Sequence, residues 1–399
     1  MKRQLLGVAA ILLSISTYAQ DNPLWMRYCA ISPDGTTIAF TYKGDIYTVP
    51  STGGRASQIT TNPAHDTKPI WSPDGKKIAF ASDRMGSMDI FEVNKEGGIP
   101  KRLTTHSGNE TPVAYKDAGH ILFLANIMPT VEDAQFPSGQ FQQVYEVNTE
   151  GGRPALFSSM PMEDISINHT GNTLLYHDKK GYEDPWRKHH TSSITRDIWL
   201  CSLNGNRTFR KQTTFNGEDR TPVWASDDKS FYYLSEEKGS FNIFKRDIDG
   251  NTSKQITNHT KHPVRFLSAA SNGTLCYGYD GEIYTVKEGA IPQKVQISIV
   301  TDKNDKDLIR QIKRSGATEI SLSPDAKEIA FVLRGDVYVT STEYSTTKQI
   351  TNTPQQERDI HFSPDGRSIV YASERNGLWQ IYQTSLAKKE EKQFAYATD

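Results

Sequence analysis

Cysteine is nearly missing from this sequence: Cys29, Cys201 and Cys276 are the only three in 399 residues. An odd count at such distances excludes the dense disulfide framework of a small secreted scaffold. Each lies in a strand-like apolar run, where cysteine acts as a small buried hydrophobe, so all three read as structural. An excess of charge of one sign is lacking too. The net charge is −1, which gives no reason to expect a nucleic-acid or anionic-membrane partner. After the first twenty residues no membrane span is expected, and no long stretch repeats with a 3.6-residue period. The compact signatures of chemistry are also absent: G-x-S-x-G, Walker and dinucleotide loops, H-E-x-x-H and paired C-x-x-C. No cofactor, metal site or catalytic residue is therefore assigned, although a triad assembled from distant residues is left open.

The first residues stand apart from the rest. Lys2 and Arg3 precede an apolar run from Leu5 to Leu13, and "STYAQ" follows, which reads as a secretory signal cut after Ala19. The run is short for a bilayer span and ends on no cysteine, which argues against an anchor and a lipoprotein. A periplasmic or secreted mature chain is expected.

What the sequence does have is 28 glycines, 19 prolines, 10% aromatics and one sentence written repeatedly. "ISPDGTTIAF" opens at Ile31, "WSPDGKKIAF" at Trp71, "LSPDAKEIAF" at Leu322 and "FSPDGRSIVY" at Phe362. The fourth residues of these turns and their weaker copies are Gly35, Gly75, Gly119, Gly171, Asp228, Gly273, Ala326 and Gly366, spaced 40 to 57 residues apart. In S-P-D-G the proline presets φ for a type I turn, the aspartate caps it and glycine takes the left-handed position. An alternating strand follows each turn. A third strand then carries a polar, an aliphatic and an aromatic residue: Asp45, Asp89, Gln143, Asp197, Asn242, Glu282, Asp336 and Gln380 begin it. A short fourth strand such as "SQIT" or "KRLT" closes the unit. Four antiparallel strands per roughly 40-residue unit describe a β-propeller blade, and blades must close in a ring to cover their apolar faces.

Six units run from about Cys29 to about Val286, a charged stretch follows, and two more units occupy 318–399. One arrangement is a single eight-bladed ring with a long insertion. The other, favoured by the linker-like charge run, is all-β: a six-bladed β-propeller over 22–290, a linker at 291–317, and the first two blades of a second, incomplete propeller at 318–399.

The blade sentence resembles TolB-type propellers. Three segments, "MRYCAISPDGTTIAFTYKGDIYTVPSTGG", "DPWRKHHTSSITRDIWL" and "GEDRTPVW", resemble the N-terminal region of tricorn protease and its exported bacterial homologues. In that family a six-bladed propeller precedes a seven-bladed one, then a helical and PDZ region and a serine-peptidase core. The resemblance covers nearly all of 22–399. It implies a non-catalytic region that filters or routes peptides or unfolded polypeptide, with the catalytic residues beyond this chain, and it leaves room for a homo-oligomer of the full-length protein. Two alternatives remain: a TolB-like periplasmic scaffold, and the propeller of a prolyl-oligopeptidase or dipeptidyl-peptidase type enzyme.

Two places differ between copies and are the candidate contact sites. The insertion in the fourth unit, 179–195, carries Trp186, Arg187, Lys188, His189 and His190. It reads as a surface loop packed by Trp186 that leans over one channel mouth, where Arg187 and Lys188 could meet a peptide carboxylate. Adjacent His189 and His190 point to opposite faces of an extended chain, which argues against a shared metal ion. At the entry to the innermost strands stand Asp66, Glu110, Asp219 and Glu357, which could form a negative collar or instead pair with arginines such as Arg84. Lys261, His262 and Arg265 would make any collar uneven. The recurring Asp45, Asp89, Asp197 and Asp336 read as packing and turn devices, because chemistry needs only one site.

Overall fold

The computed structural model describes residues 23–127, 141–182, 184, 186, 191–300 and 313–398. Their regular structure is β-strand, with one 3-10 turn at Phe394–Tyr396. The chain divides into two compact units, 1–306 and 307–399.

The turns form as their residues dictate. In the first, Ser32 Oγ donates to Asp34 Oδ1 at 2.5 Å, the Gly35 N–H donates to the Ser32 carbonyl at 2.8 Å, and Gly35 holds φ +77°. The second repeats this with Ser72, Asp74 and Gly75. Each turn joins two antiparallel strands whose alternating side chains cover both faces of a small sheet.

The first unit contains six sheets, each built around four antiparallel strands in chain order, and the first gains a fifth strand described below. Their first strands are Arg27–Ile31, Asp66–Trp71, Thr111–Asp117, Met162–Ile167, Asp219–Trp224 and Arg265–Ala269. These first strands touch one another in succession, and that of the sixth sheet touches that of the first. One backbone hydrogen bond recurs between neighbouring sheets. The N–H nine residues before the end of the turn donates to the carbonyl preceding the neighbour's third strand: Asp66 to Gly44 (2.8 Å), Glu110 to Met88 (2.7 Å), Asp219 to Arg196 (3.0 Å) and Val264 to Phe241 (2.9 Å). The same bond joins the last sheet to the first, from Met26 to Gly281 at 3.1 Å.

The apolar core follows this order. Described clusters lie between consecutive sheets, as with Ile78 and Phe80 against Ala39 and Ile46, or Phe123 and Tyr145 against Ala79 and Ile90. Another joins the first and sixth sheets through Cys29, Phe40, Cys276 and Ile283. Burying such faces contributes roughly 25 cal/mol per Å², and only a neighbouring sheet can supply it.

The stretch expected as a linker begins inside the sixth sheet, whose fourth strand is Gln293–Lys294. Beyond it, Ile297–Ile299 pairs in parallel with Gly54–Ala56 on the outer edge of the first sheet. This strap passes so close that a Cβ on Gly53 would lie 2.7 Å from the Gln296 carbonyl oxygen.

The second unit holds a four-stranded sheet (first strand Ala317–Leu322) and a three-stranded one (first strand Glu357–Phe362). The Glu357 N–H donates to the Gly335 carbonyl at 2.7 Å, repeating the bond between sheets of the first unit. The segment after the last strand, with Phe394 and Ala395, packs into this unit's own core.

Candidate functional site

A cavity of about 590 Å³ opens between the six first strands of the first unit, each of which contributes to its wall. The strands do not pass it as regular ladders. Five of them shift register between the same two positions, at Arg27/Ala30, Thr67/Ile70, Glu163/Ser166, Arg220/Val223 and Arg265/Ser268. Inside each shift one residue is left-handed: Tyr28 (φ +51°), Lys68 (+53°), Asp164 (+48°), Thr221 (+49°) and Phe266 (+56°). A side chain in this conformation costs about 1–2 kcal/mol, which the surrounding sheets must overcome. The bulge bends the strand and re-aims its side chains, and all five residues line the cavity. The third sheet has Pro112 at this position, where the ring fixes φ near −65° and forbids the same turn.

The wall carries more positive than negative charge. Lys68, Lys179, Arg196, Arg220 and Arg265 line it against two carboxylates, Glu163 and Asp164. Glu163 is satisfied: His177 Nε2 lies 3.2 Å away, Lys179 Nζ 2.8 Å and Arg196 Nε 3.4 Å. Burial opposes its ionisation, but His177 and Lys179 outweigh it and hold the carboxyl well below the usual range. His177 Nδ1 accepts the Thr221 N–H at 3.3 Å, which leaves the ring proton on Nε2 facing Glu163. The Thr221 hydroxyl donates to Asp164 at 2.6 Å. Glu218, buried behind the wall, takes Arg196 Nη1 at 2.6 Å and Arg220 Nε at 2.5 Å.

Lys68 differs from these. Among the described residues its ammonium makes no hydrogen bond or ion pair, and it stands over the Tyr28 ring, 5.7 Å from the centroid. Burial pushes its pKa down against the pull of Asp164 and Glu163. A desolvated cation facing a cavity is satisfied by an anionic group placed there.

Trp186 and Arg265 come together at the same wall. Arg265 Nη2 donates to the Trp186 carbonyl at 2.7 Å, and its guanidinium stands 5.1 Å from the indole centroid. Arg27 approaches the indole from the first sheet at 4.8 Å, and Phe266 meets it edge-on at 6.1 Å. Arg187, Lys188, His189 and His190 lie outside the described residues.

The acids expected as a collar stand elsewhere. Asp66, Glu110 and Asp219 are buried within the sheets and are not part of the cavity wall. Asp66 receives Arg84 Nη2 at 2.9 Å on both carboxylate oxygens. Burial pushes Glu110 up to about 7, with the nearby Thr104 hydroxyl opposing it. Burial likewise raises Asp219 to about 7, with the nearby Ser235 and Thr213 hydroxyls opposing it. The physical reason is the position. Nine residues before the turn's end the chain is pinned by the bond between sheets and its side chain turns inward, whereas the residue seven before lines the cavity in all six sheets. The wall residues Lys68, Arg196 and Arg220 were not singled out from sequence, and His177 was considered there only beside His189 and His190 as a metal ligand. Their signal was available in one respect. The pairs Arg27–Tyr28, Thr67–Lys68, Glu163–Asp164, Arg220–Thr221 and Arg265–Phe266 vary from copy to copy between conserved-in-register repeat positions of the same chain.

Among the described residues no group of three or more His, Cys, Asp or Glu is placed to hold a metal ion. No helix among them is long and apolar enough to cross a membrane.

Comparison with known proteins places this geometry. Residues 23–290 match the family described as the tricorn protease N-terminal beta propeller domain. Tricorn protease homolog 1 of Streptomyces coelicolor is 25% identical over 365 residues, 89% of this chain and 32% of its own length. The tricorn protease homolog of Saccharolobus solfataricus is 26% identical over 296 residues, 70% of this chain and 26% of its own. A crystal structure of the tricorn protease superposes with a TM-score of 0.60 at 18% identity, covering 91% of this chain and 36% of that one, a likeness of fold. The chain thus spans about a third or less of the length of these curated relatives.

Proposed function

This chain belongs to the family of tricorn protease N-terminal β-propeller domains, and on that premise we propose that it admits and routes peptides for a peptidase core. On this reading the six sheets of the first unit are the blades of one ring, and the cavity between their first strands is the passage. The observation that carries it is Lys68: a desolvated ammonium without an ion pair among the described residues, in a wall with five cations and two carboxylates. Such a wall favours the carboxylate end or acidic side chains of an extended peptide. The routing role is non-catalytic for these residues, and the purified chain should leave peptides intact.

The second unit is proposed as the first two blades of a further ring. Both of its outer faces support this, since Leu322 on one and Ile381 on the other are large apolar residues left in solvent. The signal at 1–19 and a periplasmic or secreted site belong to the same proposal. Amino-terminal sequencing of the protein from fractionated cells should begin at Gln20, and a chain still starting at Met1 would sink that part.

The passage is tested by titrating fluorescent peptides that differ only in a free or amidated C-terminus. The free acid should bind more tightly, with affinity falling as salt rises. Lys68→Met should weaken the free acid about ten-fold and leave the amide unchanged. Equal binding of acid and amide would remove the electrostatic reading of the cavity.

A further inference from the structure

The closure between the sixth and first sheets contains a feature that peptide passage does not use. Cys29 and Cys276 are 247 residues apart in the chain, yet both lie in the apolar cluster that joins these two sheets. The Ser268 hydroxyl fixes their backbones together. Its oxygen lies 3.4 Å from both the Cys29 and the Cys276 carbonyl oxygens, which share its one proton, while the Ile31 N–H donates to it at 3.0 Å. The two carbonyl oxygens therefore stand within twice that distance of each other. Ser268 is also the direct cross-strand partner of Cys276. The Cys29 thiol donates to the Phe266 carbonyl at 3.4 Å, and burial, followed by the Cys29 thiol, raises the Cys276 thiol well above its ordinary value.

We infer that Cys29 and Cys276 form a disulfide that covalently clasps the first sheet to the sixth and closes the ring. No other described cysteine competes: Cys201 is buried in the fourth sheet and its thiol meets the Ser202 carbonyl at 3.5 Å. The two partners also differ in access. Cys29 lines the cavity, whereas Cys276 is fully buried.

That difference sets the order of the chemistry with a small disulfide oxidant such as oxidised glutathione. The Cys29 thiolate attacks one sulfur of the oxidant, forming a mixed disulfide and releasing one glutathione thiolate. The Cys276 thiolate then attacks the Cys29 sulfur, forming the clasp and releasing the second. The protein loses two protons and two electrons in total, and one glutathione disulfide takes them up to become two thiols. The strap at Ile297–Ile299 holds the outer edge of the first sheet, so the clasp adds a constraint nearer the inner strands.

The test is made on the purified chain after equilibration with oxidised glutathione, with a fully reduced sample beside it. Thiol titration in denaturant should find one thiol per chain after oxidation and three after reduction. Non-reducing peptide mapping should recover a fragment linking Cys29 to Cys276, two mass units lighter than the sum of its parts. The oxidised chain should melt on the order of 5–10 °C above the reduced one, because the bridge closes a very long loop. Cys201→Ala should keep that difference and Cys276→Ala should abolish it. If Cys276→Ala fails to fold, Cys29→Ser serves in its place, and the thiol count and mapping decide the matter without either variant. Three thiols after oxidation, a bridge involving Cys201, or equal melting of the two forms would overturn the clasp.

Discussion

The third strand of every repeat carries an aliphatic residue at its second position, and its fate differs between the two units. In the first unit Ile46, Ile90, Ile198, Ile243 and Ile283 are wholly buried, whereas in the second Ile381 is 80% exposed. Val337, at the same position one sheet earlier, is wholly buried. The opposite face tells the same story: Ile31 and Trp71 are buried and Leu322, their counterpart, is exposed. The strands are alike in sequence, turn and register. What differs is whether another sheet lies against them, so the repeat encodes a sheet and its burial comes from the neighbours.

Four measurements would break or sharpen this contrast. The largest effect is expected where a charge is buried. Arg84→Ala strips Asp66, wholly buried, of its guanidinium and should cost about 3–5 kcal/mol in urea unfolding. In the second unit Glu357 pairs with Arg375 Nη2 at 3.4 Å and also receives hydroxyls from Thr351 at 2.9 Å, Thr353 at 2.8 Å and Ser373 at 3.0 Å. Arg375→Ala should therefore cost only about 1 kcal/mol. Equal losses would mean that the hydroxyls do not compensate. Next, Ile90→Ala should destabilise its unit by about 3 kcal/mol through the lost methylenes and the cavity left behind. Ile381→Ala should stay within about 0.5 kcal/mol, and a cost like that of Ile90 would show its face to be covered in solution.

The third measurement is pH. Glu110 and Asp219 have folded pKa values near 7, above their ordinary values of 4.5 and 3.8, because burial disfavours the charged form. A raised carboxyl binds more protons folded than unfolded in this window, so stability should decline as pH rises from about 4 to 7. Glu110→Gln should flatten part of that decline in thermal melts across the range. An unchanged profile would assign the slope to other groups. The smallest effect is at a turn. Ala326 holds φ +58° where six of the other seven copies have glycine, so Ala326→Gly should stabilise the second unit by about 1 kcal/mol. A loss instead would mean that the turn's methyl group is packed.

Much of the fold was legible because it is local. S-P-D-G dictates a turn whatever surrounds it, and the alternation after Gly75 can only be a strand with two apolar faces. The strap was not legible: Ile297–Ile299 sits in a charged stretch, and its pairing with Gly54–Ala56 is parallel and 243 residues distant. The site was less legible still. Asp66, Glu110 and Asp219 recur, and recurrence in a ring marks what holds neighbouring sheets together. Lys68, Arg220 and Arg265 do not recur, and a bulge turns them to the cavity.

The sequence by itself determined the sheets, their order and the turns between them, because those depend on proline, glycine and period-two patterning within a few residues. Only the tertiary structure decided which equivalents are buried, which polar side chains meet in the cavity, and that Cys29 lies beside Cys276. Those outcomes depend on contacts between residues far apart in the chain, for which local pattern carries no energy term.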